Sequence, residues 1–237
     1  MINQKGKKRI ALLLDPDETK SETRDNLLVI AEQSRTDYIL IGGSLTYVHP
    51  GDLINHVKST TSIPVFLFPG NLLQLTEGAD GVLLLSLISG RNPELLIGNH
   101  VVAAPFLRRI KSNVISVGYI LVNCGQRTSV EYMSQTEAIP SNKTNIAVAT
   151  AIAGEMLGLK MIYLEAGSGA DHPVPTGMIR SVKENITVPL IVGGGLNNKE
   201  SIQTVFEAGA DIVVLGNGCE SDPSLLEAAC SIRDSLN

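Results

Sequence analysis

The strongest constraint on the fold is an alternation that runs the length of the 237-residue chain: a short aliphatic run, a turn containing Gly or Asp, then an amphipathic stretch. Repeated in this order, such segments form βα units whose strands lie parallel, with helices covering both faces of the sheet. The aliphatic runs fall at 9–14, 38–41, 65–68, 81–85, 115–122, 161–165, 190–192 and 212–215. Several are almost purely apolar, such as LLL at 12–14, VLLL at 82–85 and IVVL at 212–215, as strands buried on both faces require. Eight such strands close on themselves more naturally than they spread as an open sheet. A single-domain TIM (β/α)8 barrel over residues 1–237 is therefore expected.

Helices are expected at 23–34, 52–60, 95–111, 143–157, 176–184, 198–208 and 223–235. Between the third and fourth strands only residues 69–80 are available, near the minimum for a parallel crossover. The barrel should lack a regular third helix and carry a short helical turn or an extended connection there. The polar segment 128–142 reads as a loop over the barrel mouth.

Composition narrows the function. With 43% hydrophobic and 18% charged residues the chain has ample core material, and its net charge of −5, without a basic stripe, argues against a nucleic-acid partner. The basic cluster Lys5, Lys7, Lys8 and Arg9 precedes only five apolar residues, too few for a signal peptide or a membrane span. Three cysteines, Cys124, Cys219 and Cys230, show no CxxC spacing and fit reduced thiols in a cytoplasmic protein. His49, His56, His100 and His172 are scattered without zinc-type spacing and read as surface or capping residues for the most part.

Barrel enzymes do their chemistry at the carboxyl ends of the strands. Those ends carry Asp15, Gly42-Gly43-Ser44, Ser86, Asn123, the segment Glu165 to Gly169, Gly193-Gly194-Gly195 and Gly216-Asn217-Gly218. Glycines after the last two strands let backbone N–H groups approach a phosphate, although tight turns alone also use glycine. Glu165, directly before a Gly-Ser-Gly turn, can serve as a general base beside a bound anion or as a capping or salt-bridging residue, and the residues alone leave both open. Tyr163 shares its face of the strand, while Leu164 should point into packing. Asp15 and Asp17 offer hard oxygen ligands suited to magnesium, with Ser44 within reach of the same ion, though a strand-end Asp also caps helices. No Walker A, GxSxG or GxGxxG motif follows a strand.

Taken together, Asp15-Pro16-Asp17, Gly42-Gly43-Ser44, Asn92-Pro93 with Gly98 and His100, YLEAGSGA at 163–170, Gly193-Gly194-Gly195 and Gly216-Asn217 resemble the geranylgeranylglyceryl phosphate synthase family over nearly the whole chain. The resemblance implies a prenyltransferase that joins the 3-hydroxyl of sn-glycerol 1-phosphate to geranylgeranyl diphosphate, making an ether-lipid precursor for phospholipid biosynthesis, on a barrel without its third helix. It implies glycerol phosphate bound by Tyr163, Leu164, Glu165, Ala166, Gly167, Ser168, Gly169, Gly194, Gly195, Gly216 and Asn217. Glu165 and Tyr163 would be catalytic, Asp15 and Ser44 would hold Mg2+, and the protein would be a homo-oligomer.

Many members carry a basic residue after DPD where this chain has Glu18, leaving Arg91, Arg108 and Lys143 as candidates to meet the diphosphate. Leu95-Leu96-Ile97 and residues 101–104, VVAA, could line the prenyl groove or belong to an ordinary helix core. A phosphosugar isomerase or lyase, or a non-catalytic phosphate-ligand binder, would use the same glycine clusters.

Overall fold

The computed structural model describes residues 6–17, 19–110 and 113–237. Strands β1 (Arg9–Leu14), β2 (Tyr38–Ile41), β3 (Val65–Leu67), β4 (Gly81–Leu87), β5 (Asn113–Asn123), β7 (Met161–Glu165), β8 (Leu190–Gly193) and β9 (Ile212–Leu215) form a closed parallel ring, since β4 pairs with β5 and β1 pairs with β9. A two-residue strand, β6 (Ile139–Pro140), extends the sheet beside β5. Each predicted strand is present, several with slightly different ends.

Alternation along the strands sorts side chains into two cores. Ala11, Leu40, Phe66, Leu83, Val117 and Met161 fill the barrel interior, while neighbours such as Leu12, Ile39, Val65, Val82, Ile120 and Ile162 face the helices. This parity sets the site. Asp15 and Glu165 lie two residues after the inward-facing Leu13 and Tyr163.

The surrounding helices are α1 (Ser21–Gln33), α2 (Pro50–Thr60), α3 (Asn99–Ile110), α4 (Ser129–Ser134), α5 (Thr144–Met156), α6 (Thr176–Asn185), α7 (Lys199–Glu207), α8 (Asn217–Ser221) and α9 (Ser224–Leu236). No helix among the described residues is long and apolar enough to cross a membrane. As expected, no regular helix joins β3 to β4; a single 3-10 turn, Leu72–Gln74, stands there. The buried Gln74 side chain ties this connection to the preceding one, donating to Gly43 O at 2.8 Å and accepting from Gly70 N at 3.0 Å.

Two expectations need correction. The helix read at 95–111 begins with one π-helical turn, Glu94–Gly98, before α3, and its predicted last residue, Lys111, lies outside the described residues. The segment 128–142 is not all loop. Thr128 caps α4 and exchanges hydrogen bonds with Glu131 in a capping box, and Gln135, with φ of 53°, ends that helix.

The last helix is anchored to the first βα unit by Arg233, which donates to the carbonyls of Ser34 and Arg35 and at 2.8 Å to Asp37 Oδ2. Asp37 Oδ2 also accepts the N–H of Ile10 in β1. Removing the arginine leaves that carboxylate with the Ile10 N–H but without this cation. Arg233→Ala should cost about 2 kcal/mol, less than a fully buried pair because Asp37 keeps 27% side-chain exposure. A lower urea midpoint at unchanged slope is expected, and an unchanged midpoint would remove this anchor from the account.

Candidate active site

Residues at the ends of β1, β2, β3, β7, β8 and β9 surround one cavity of about 1040 Å³, which Ser86 and Asn123 do not line. Pockets for one small ligand run from roughly 300 to 1,000 Å³, so it stands at the top of that range. Asp15, Ser44, Tyr163, Glu165, Gly167, Ser168, Gly169, Gly194, Gly195, Gly216 and Asn217 all line it. Leu164 and Ala166 do not: their side chains pack into the layer between strands and helices. Any part they play in ligand binding is confined to their backbone.

Glu165 is the centre of the polar end. It is 7% exposed, and its Oε1 accepts the N–H of Gly167 at 2.6 Å. The hydroxyls of Tyr163 and Tyr119 hydrogen-bond to the same carboxylate. Burial pushes its pKa up, and these three donors pull it part of the way back. Both tyrosines are themselves raised well above the usual phenol value, by burial first and then by the carboxylate charge. Their rings meet edge to face at 5.0 Å between centroids, with Phe68 stacked on Tyr163 at 5.7 Å, so the hydroxyls are held from below.

Glycine is required opposite this group. A Cβ at Gly193 would stand 2.3 Å from Tyr163 Oη, and one at Gly194 would stand 2.5 Å from Glu165 Oε1. Gly194 and Gly195 also have φ of +83° and +68°, a conformation that L side chains disfavour. The Asn217 side chain donates to Ser168 Oγ at 3.2 Å, joining the turn after β7 to the one after β9. The short helix α8, absent from the expected set, starts at Asn217. Residues of three turns, after β7, β8 and β9, thus line the same end of the cavity beside a carboxylate.

On the far side of the cavity, Asp15 accepts the N–H of Asp17 at 2.9 Å, and a Cβ on Gly43 would come 1.9 Å from Asp15 Oδ2. Asp17 is not placed as a metal ligand. Its carboxylate accepts the N–H groups of Tyr47 and Val48 and so fixes the loop after β2. Asp15 and Ser44 supply one carboxylate and one hydroxyl, a set that suits an ion completing its shell with substrate phosphate and water. Among the described residues no three His, Cys, Asp or Glu side chains form a metal-holding group.

The basic candidates fall elsewhere. Arg91 donates to the carbonyls of Ile88 and Gly90, Arg108 and Lys143 are exposed away from the cavity, and Glu18 lies outside the described residues. Among the described residues the cation lining the cavity is Arg127, whose guanidinium sits 5.7 Å from the Tyr132 ring centroid. Nothing in the spacing marked it, because it lies in a polar stretch. Tyr119 escaped attention because it is inside a strand rather than at its end. His100 is neither surface nor cap: it lines the cavity with Nε2 2.9 Å from Ser86 Oγ.

The cavity's other half is apolar and leaves the barrel. Leu84 faces outward from β4 and yet lines it, with Leu72, Leu75 and Leu95. These residues flank the connection where a regular third helix is missing. Of the predicted groove residues only Leu95 contributes; Ile97, Val101 and Val102 are 60%, 65% and 67% exposed, and Ala103 is packed in the core.

Comparison with known proteins supplies a family. The PcrB family profile matches residues 3–232. The chain is 44% identical over 234 residues to geranylgeranylglyceryl phosphate synthase of Spirosoma linguale, covering 98% of this chain and 94% of that protein. It is 46% identical over 226 residues to the Flavobacterium johnsoniae protein of the same name, covering 94% and 92%. Its structure is similar to that of (S)-3-O-geranylgeranylglyceryl phosphate synthase from Thermoplasma acidophilum in complex with sn-glycerol-1-phosphate, with TM-score 0.88 and 30% identity over 98% of this chain and 94% of that one.

The raised pKa of Glu165 carries a sign. Between the ordinary carboxylate range and the raised value, the folded state holds a proton that the unfolded state has released, so stability falls as pH rises through that window. Below the ordinary range both states are protonated and this contribution is fully present. Glu165→Gln should lack that component of the stability–pH curve, and Tyr119→Phe, which removes a hydrogen bond to the carboxylate, should extend the window upward. Urea unfolding from the carboxylate range to neutral pH measures both, and parallel curves for the wild type and Glu165→Gln would contradict the buried charge.

Proposed function

The chain belongs to the PcrB family, and from that premise we propose that it is a geranylgeranylglyceryl phosphate synthase, joining sn-glycerol 1-phosphate to geranylgeranyl diphosphate in ether-lipid synthesis. A bond forms between the acceptor 3-oxygen and carbon 1 of the prenyl chain, while the bond from that carbon to the diphosphate oxygen breaks. The hydroxyl proton goes to Glu165, and diphosphate leaves with the electron pair. The observation that carries this reading is the buried carboxylate of Glu165, held by two tyrosines beside the glycine turns at 167–169 and 194–195.

The acceptor phosphate lies against the turns at Gly167, Ser168, Gly169, Gly194, Gly195, Gly216 and Asn217, where glycine lets an anion approach the backbone closely. Leu164 and Ala166 contribute through the backbone alone. Desolvation makes Glu165 more basic than an exposed carboxylate, which favours proton uptake near neutral pH. Tyr119 and Tyr163 orient it and hold the acceptor hydroxyl in line. The prenyl tail occupies the apolar half of the cavity, and Arg127 meets the diphosphate.

Asp15 and Ser44 are the residues to hold Mg2+. When bound, the ion would offset the charge on the departing diphosphate. Self-association into a homo-oligomer belongs to the same reading, supported by the apolar surface at Ile97, Val101 and Val102. So does a cytoplasmic setting, supported by the three cysteines standing as buried free thiols.

Purified protein with magnesium should transfer a radiolabelled geranylgeranyl group to sn-glycerol 1-phosphate, and no transfer from any prenyl diphosphate would refute the assignment. Glu165→Gln should lower turnover by about 10²–10⁴-fold, the usual contribution of a positioned base, with acceptor binding retained. Asp15→Ala should weaken the dependence on magnesium concentration; an unaltered dependence would move the metal elsewhere.

A further inference from the structure

The cavity rim is chemically divided. Because the barrel strands are parallel, the segments after β2, β3 and β5 leave the same end as those after β7, β8 and β9. On the first side stand Leu45, Tyr47, Val48, Leu73, Tyr132 and Met133, between 47% and 88% exposed. Leu45, Tyr132 and Met133 also line the cavity, so the outer apolar surface continues into its apolar wall. On the second side the rim is made of groups such as Ser168, Asn197 and Asn217, and among the described residues no large apolar side chain of those three turns is exposed.

The Asp17 carboxylate is turned inward onto the N–H groups of Tyr47 and Val48. It therefore fixes the loop while those two side chains project outward. Single exposed apolar residues are ordinary, but a cluster beside a cavity marks a contact. Aromatic hydroxyls mixed with aliphatic tips are the composition that settles at a membrane interface. A second copy pressed on this rim would cover the mouth of both cavities. The chain's net charge of −5 disfavours an anionic surface, which leaves a zwitterionic one.

We propose that this half of the rim docks on the surface of a zwitterionic lipid bilayer, with Tyr47 and Leu73 as interfacial anchors, so that prenyl tails pass between bilayer and cavity without crossing water. The inference rests on the prenyl-transfer reading, since a membrane-facing mouth serves an enzyme whose donor and product are amphiphiles. Its orientation follows from the division: tail side to the lipid, acceptor-phosphate side to the solvent.

The test is co-sedimentation with phosphatidylcholine vesicles. The wild type should pellet with them, and Tyr47→Ser/Leu73→Ser should partition roughly tenfold more weakly, the scale of losing two interfacial anchors. Turnover of a water-soluble short-chain prenyl diphosphate should be unchanged in that variant, because neither side chain lines the cavity. Equal partitioning of the two proteins, or no binding by the wild type, overturns the proposal. So does light scattering that shows a wild-type dimer dispersed by the double substitution, which would make the rim a contact between copies. Vesicle binding is read without catalysis, so protein that binds but transfers no prenyl group counts against the functional assignment alone.

Discussion

A carboxylate buried at the end of a barrel strand is costly unless its lone pairs are taken, and much of the site follows from how Glu165 meets that requirement. Its partners come from the turn after its own strand and from the register of the sheet, which sets Tyr119 opposite Tyr163 and Glu165 opposite Gly193. The tyrosine hydroxyls need support, which the Phe68 ring provides. The space they occupy excludes any side chain at positions 193 and 194. The conditions for burying this carboxylate thus also keep side chains out of the turn after β8, which lines the cavity at Gly194 and Gly195.

The second half of the site depends on an absence. A complete third βα unit would cover the outer face of β4, but the Leu72–Gln74 turn is too short to do so. Leu84, outward-facing and half-buried, is left to line a cavity that passes from the barrel mouth to its flank. One end of the cavity is thus charged and rigid and the other apolar, as an amphiphilic donor requires. The exposed apolar rim stands on the side of the apolar end.

The strands were legible in the sequence because burial on both faces demands unbroken aliphatic runs, which polar turns interrupt cleanly. Asp15, Glu165 and the glycine turns were legible because they stand where those runs end. Helix α4 announced itself through the Thr128 to Glu131 spacing, yet the polarity of its surroundings hid it. Helix α8, with the sequence NGCES, is too short to show a period. Tyr119 sits within a strand and reads as core until the pairing brings it to Glu165. The face that α3 presents could not be counted from 95 onward, because the π-turn at Glu94–Gly98 shifts the helical register. Hence Ile97, Val101 and Val102 point to solvent while Leu95 faces the cavity.

The central claim is that Glu165, made more basic by burial, takes the acceptor proton in the bond-forming step. The pH dependence of the single-turnover rate, with both substrates bound, tests this most directly. The account predicts a rate that rises with pH through one ionisation above the ordinary carboxylate range and a profile that loses this limb in Glu165→Gln. An ionisation limb that persists unchanged in Glu165→Gln would contradict it.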